Sequence, residues 1–100
     1  MKFVYTTCTN REEAQILARG ALESKLAVCA DMWEIESLYS WNGETEDVTQ
    51  MMLMFTTNGV TTIDLETYIR DNHTYQVPMV GHTDVAMSQQ YQEWAQNQIV

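Results

Sequence analysis

The chain has 100 residues, 45% apolar and 10% aromatic, the makeup of one globular domain (residues 1–100) rather than a disordered segment. Fourteen acidic residues against five cations leave a net charge of −9. That charge repels phosphate backbones and anionic lipid, so neither nucleic acid nor a membrane surface is expected as a partner.

No run approaches the ~20 apolar residues of a bilayer span. The opening "MKFVYTTCTN" has too short an apolar stretch for a secretory leader, so a cytoplasmic location is expected. Cys8 and Cys29 are then expected as free thiols. The absence of a Cys-x-x-Cys pair argues against a zinc ribbon or a thioredoxin-type redox site.

In chain order, Lys2 to Thr7 reads as a short β-rich strand. Asn10 and Glu13 have the spacing of a capping box that opens a helix. Ala14, Leu17, Ala18, Ala21 and Leu22 follow at helical spacing and predict one buried stripe. Three of those five are alanine, which suits close approach to a sheet. Gly20 costs about 1 kcal/mol in a helix interior, a cost that close packing would explain. Lys25 suits the negative end of the helix dipole.

From Ala27 to Trp41 the apolar parity changes near Met32 and Trp33. A bulge, a bend, or two strand halves packing on different partners would each produce this. Asn42-Gly43 is a strong hairpin-turn signal, and Glu44 to Thr57 returns. The resulting hairpin is longer than the usual strand of about five or six residues. Ile63 to Asp71 reads as a second helix with Leu65, Tyr68 and Ile69 on one side. Pro78 opens a last strand, Met79 to Met87, where no ladder donor is needed. Ser88 begins a short final helix carrying Tyr91, Trp94 and Ala95.

The order βαββαβ plus a short C-terminal helix predicts an α+β, ferredoxin-like split-βαβ sandwich with a long β2-β3 hairpin. Such a sheet has helices on one face, leaving the other for solvent or a partner. Tyr39 and Trp41 sit beside the turn at Gly43. Aromatic residues on a protruding ribbon are a liability alone and anchors when docked. Met51 to Phe55 is apolar on both parities, as for a strand covered on both faces. Tyr39, Trp41, Gly43, Met52 and Met54 are therefore expected at a subunit interface; a monomer with its hairpin folded back is the alternative.

The segments "TTCTNREEAQILARGALESKLAVCADM", "SLYSWNGE", "TT" and "HTYQVP", in this order over nearly the whole chain, resemble the CutA divalent-cation tolerance family. The resemblance implies a PII-like homotrimer associated with tolerance to copper or other divalent cations, with no established catalytic reaction. It also implies Cys8 and His73 as candidate copper ligands. The chain departs from the family pattern at Phe55, where lysine is usual, at Thr74, where proline is frequent, and at Met79, where glutamate is frequent. It also lacks a Pro-Gly pair around Trp33-Glu34-Ile35.

Thiolate and imidazole both suit copper, but two ligands fall short of the four of a structural zinc site. Asp31, Glu34 or Glu36 would have to supply others. The plainer reading makes Cys8 a small buried hydrophobe and His73 a helix-end residue near terminal carbonyls. His82 reads as solvated. Met51, Met52 and Met54 read as core filler rather than a thioether site, since only Met52 and Met54 share a face. The expected function is a non-enzymatic trimeric tolerance protein with weak metal binding. The alternative is a PII-like sensor that takes a small ligand between subunits. Few cations and no Gly-rich phosphate loop argue against a polyphosphate ligand. No nucleophile–base set suggests an enzyme.

Overall fold

The computed structural model describes residues 1–99. The elements are β1 (Lys2–Cys8), α1 (Arg11–Glu23), β2 (Cys29–Trp41), β3 (Glu44–Thr57), α2 (Thr62–Asn72), β4 (Val80–Asp84) and α3 (Gln89–Gln98). The sheet order is β2-β3-β1-β4, with every neighbouring pair antiparallel. The α1 crossover thus joins two parallel strands with β3 between them, and the α2 crossover does the same around β1. This is the expected ferredoxin-like arrangement.

Alternation builds the core. Val4, Thr6 and Cys8 stand opposite Phe55, Leu53 and Met51. All six are buried on the face that α1 and α2 cover. Phe55 is the largest fully buried side chain, so the residue that departs from the family pattern is a core residue here.

α1 begins as its capping box predicts. The Glu13 N–H donates to Asn10 Oδ1 at 2.9 Å, and the Thr9 N–H donates to Glu13 Oε1 at 2.8 Å. Ala14, Leu17, Ala18 and Ala21 are buried, but Leu22 is 40% exposed. The stripe ends one residue early because the chain then turns away. Lys25 takes a left-handed conformation, φ 58°, while the Lys25 and Leu26 N–H groups donate to Leu22 and Ala21 carbonyls. Gly20 has the close neighbour its position implied: a Cβ there would lie 2.0 Å from the Tyr68 hydroxyl. That hydroxyl donates to the Leu17 carbonyl at 3.0 Å.

The hairpin register runs unbroken from Cys29↔Thr56 to Trp41↔Glu44, so no bulge causes the parity change. The two halves instead have different surroundings. Met51 to Thr56 pair with both β1 and β2, whereas Glu44 to Gln50 pair with β2 alone. Asn42 and Gly43 have φ of 52° and 82°, the paired positive values of a type I′ turn. At about 3.4 Å per residue, the 14 residues of β3 nearly match the molecule's 46 Å long dimension.

Two expectations are corrected. β4 stops at Asp84 rather than Met87, because its ladder with β1 ends at the Lys2↔Asp84 pair; the last bond is Val85 N–H to the Met1 carbonyl. The second sheet face is not free of helix either. Ser88 caps α3 by accepting from the Tyr91 N–H. Burial, with Cys29 and Asp31 close by, pushes the Tyr91 phenol pKa up. Cys29 and Asp31 oppose Thr56 and Met54, on the face away from α1 and α2. Met52 and Met54, on that face, are half-buried.

Candidate functional site

His73 follows the last turn of α2, where the backbone becomes extended (φ −81°, ψ 147°). This carries its ring to the end of β1 rather than onto the helix carbonyls. Its Nε2 lies 2.8 Å from the Thr7 carbonyl oxygen, and its Nδ1 lies 3.1 Å from the Tyr75 backbone nitrogen. A carbonyl only accepts and an N–H only donates, so Nε2 carries the proton and Nδ1 accepts. The side chain is fully buried, with Glu13 Oε2 3.7 Å from Nδ1. Cys8 is close by: Cys8 Sγ, a Glu13 carboxylate oxygen and a His73 ring nitrogen lie within 4.8 Å of one another.

Glu13 ties the group together. Its Oε1 completes the α1 cap, and its Oε2 accepts the Thr74 N–H at 2.9 Å. Proline at position 74, frequent in the family pattern, would lack that donor. Burial raises the Glu13 pKa, but hydrogen bonds from Thr74 and Thr9 and the nearby His73 outweigh this, so it lies below its ordinary value of 4.5. Cys8 moves the other way: burial, then the Glu13 charge, pushes its thiol up to about 12.

A metal ion needs a thiolate and a free imidazole lone pair. Here the thiol is protonated at neutral pH, the one imidazole lone pair holds the Tyr75 N–H, and each Glu13 oxygen holds a backbone N–H. The cluster therefore does not fit a resident ion in this geometry; it is a junction fastening the loop after α2 to the start of α1 and the end of β1. Glu13, not Asp31, Glu34 or Glu36, is the acid beside His73. Asn72 stays out, donating to the Tyr68 carbonyl within α2. His82 is half-exposed as expected but not merely solvated, since its Nδ1 lies 2.9 Å from Glu66 Oε1.

The fastened loop forms one wall of a cleft of about 520 Å³. Tyr75, Val77 and Met79 line that wall; Tyr39, Trp41, Glu46 and Gln50 of the outer hairpin line the other. The Tyr75 hydroxyl donates to Gln50 Oε1 at 2.6 Å across the floor. Sequence reasoning missed Gln50, which carries no motif, and gave Tyr75 no role beyond its place in the HTYQVP segment; the two meet across 25 positions. Leu38 is 72% exposed, and Trp33, Tyr39 and Trp41 are each 43% exposed. Gly43 has nothing within 4 Å of where its Cβ would be.

Comparison with known proteins agrees with this architecture. A family profile described as "CutA1 divalent ion tolerance protein" matches residues 2–98. The divalent-cation tolerance protein CutA of Thermococcus kodakarensis is 35% identical over 92 residues, covering 91% of this chain and 88% of that protein. The Xenopus laevis CutA homolog is 39% identical over 74 residues, covering 73% of this chain but only 49% of the frog protein. Among solved structures, CutA1 from Pyrococcus horikoshii superposes with a TM-score of 0.96 at 26% identity, covering 100% of this chain and 99% of that one. A structure described as the PII-like protein CutA from Nostoc gives 0.92 at 23% identity, covering 100% and 98%, a likeness of fold alone. With the profile spanning nearly its whole length and the βαββαβ sheet in place, the chain belongs to the CutA1 divalent ion tolerance family.

Proposed function

We propose that this chain acts as a homotrimeric, non-catalytic protein of divalent-cation tolerance, whose function depends on its subunit interfaces. The outer hairpin carries the reading. Leu38, Tyr39 and Trp41 lie exposed on a two-stranded ribbon with no third strand among the described residues. Such a ribbon is satisfied by docking on a copy of itself, with Gly43 shaping its tip and Met52 and Met54 offering an apolar face. Sedimentation equilibrium at low micromolar concentration tests this. Three times the 11.6 kDa chain mass is expected; a well-folded 11.6 kDa species overturns it.

In this reading, copper or another divalent cation binds weakly at Cys8 and His73, because it must first displace a proton and the Tyr75 N–H. Calorimetric titration with copper should give weak binding that the Cys8→Ala, His73→Ala double variant lacks, with circular dichroism verifying its fold. Unchanged affinity discards the site. The reading includes a cytoplasmic location, supported by two free thiols.

A PII-like sensor role is a second reading, favoured by the cleft beside the outer hairpin. Its volume lies within the range of small-molecule sites. A thermal-shift screen of metabolites should yield a stabilising ligand, and a screen without one counts against this role.

A further inference from the structure

We infer that the loop of residues 75–79 is half of the surface on which a neighbouring copy of this chain docks, and that Glu13 is the positioning residue that holds the loop in place. This rests on the trimer reading and adds to it a second segment and the support of that segment.

The makeup of the cleft names its occupant. Of the eleven large apolar or aromatic side chains exposed among the described residues, five converge on it: Leu38, Tyr39 and Trp41 from the hairpin, Val77 and Met79 from the loop. Glu46 is the only charged residue in its lining. Aromatic and methionine side chains with few charges make up the core of a protein interface, and a convergence of this kind on one chain marks an interaction site. The patch is continuous with the ribbon whose docking carries the trimer reading. A threefold ring closes by heterologous contacts, in which one patch meets a different patch on the next subunit. The hairpin supplies one and the loop the other, so assembly covers both walls of the cleft.

A loop serves this way best if it is already in place. Residues 73–75 are fastened to three elements. His73 Nε2 donates to the Thr7 carbonyl of β1, Glu13 Oε2 of α1 accepts the Thr74 N–H, and the Tyr75 hydroxyl donates to Gln50 of β3. The His73 and Tyr75 rings also pack together, their centroids 4.8 Å apart. Glu13 does what its amide could not. Its two oxygens accept from Thr9 and Thr74, whereas a glutamine has one acceptor oxygen and a donor, so one of those N–H groups would lose its partner. A loop released in this way must be ordered again when subunits meet, and association weakens by that entropy.

Sedimentation equilibrium of the full chain over a dilution series, with urea added to bring dissociation into range, gives the trimer dissociation constant. Val77→Ser should raise it about tenfold or more, although that side chain is 72% exposed in the single chain. Ile16→Ser, at a comparably exposed position on α1 (64%) outside the cleft, should leave it unchanged. Glu13→Gln should also weaken assembly, and by less in a Val77→Ser background, because it acts through the loop. Tyr75→Phe, which removes only the bond to Gln50, should show the same pattern and serves if Glu13→Gln does not fold. An unchanged constant for Val77→Ser, equal losses from Val77→Ser and Ile16→Ser, or a Glu13→Gln effect that is the same in both backgrounds overturns the inference and leaves the trimer standing. So does a metabolite that stabilises the wild-type trimer but not a Val77→Ser trimer of unchanged dissociation constant, since the cleft would then belong to a ligand. An 11.6 kDa species for the unaltered chain would remove the trimer reading and this inference with it.

Discussion

Replacing Gly20 with alanine should destabilise the protein, against the usual trend in a helix interior. Helix propensity alone favours alanine by about 1 kcal/mol. The new Cβ, however, would sit 2.0 Å from the Tyr68 hydroxyl, so the ring must shift by more than an ångström. The ring packs against the core, and overpacking of this kind costs about 1–3 kcal/mol. The shift also breaks the hydroxyl's bond to the Leu17 carbonyl, worth about 1 kcal/mol. The net expectation is a loss of about 1–3 kcal/mol. In a Tyr68→Phe background the oxygen is gone and the nearest atom is the ring carbon at 3.0 Å, which needs only a few tenths of an ångström. There Gly20→Ala should be near neutral, giving a coupling of about 2 kcal/mol. Urea unfolding of all four variants at one protein concentration measures this. An equal effect of Gly20→Ala in both backgrounds, or stabilisation with Tyr68 present, would refute the argument.

The Glu13 carboxylate should make the fold acid-sensitive. Its folded pKa lies below its ordinary 4.5, so its contribution is full above that value and is lost as pH falls through the folded one. Glu13→Gln should be less stable at pH 7 and show a flatter decline below about pH 4.5 in thermal melts. Cys8 has the opposite sign. With its folded pKa raised to about 12 from 9.0, its contribution is complete below 9.0 and declines as pH rises towards 12. A chromogenic thiol reagent at pH 8 should therefore reach Cys29 first and Cys8 only on unfolding; two equally fast thiols would contradict the burial argument. Gly43→Ala should cost about 1 kcal/mol, purely from its φ of 82°, with no steric component. A thermal melt that does not move would count against that origin.

Legibility in the sequence followed the range of the interactions. The α1 cap and stripe were readable because their determinants lie within one or two turns. The Asn42-Gly43 turn was readable because it needs two residues that tolerate positive φ. The exposure of Leu22 was not, since it depends on where the chain turns away beyond the helix. The end of β4 was hidden for a similar reason: it depends on how far the ladder with β1, at the other end of the chain, runs. Cys8 and His73 could be named as a pair by resemblance, but their bonding could not. The partners that occupy them are backbone groups of Thr7 and Tyr75 and a carboxylate 60 positions from His73. Glu13 was visible as a capping acid, and nothing local marks its second task of holding Thr74.

In the proposed trimer the ribbon beyond Met51 relies on neighbours it must find by diffusion. Its amide protons should exchange faster as the sample is diluted, while those of β1 and the inner half of β3 hold steady. Dilution would loosen the tip first, so damage at Tyr39 or Trp41 would appear in the cell as failed association of subunits whose cores are still sound.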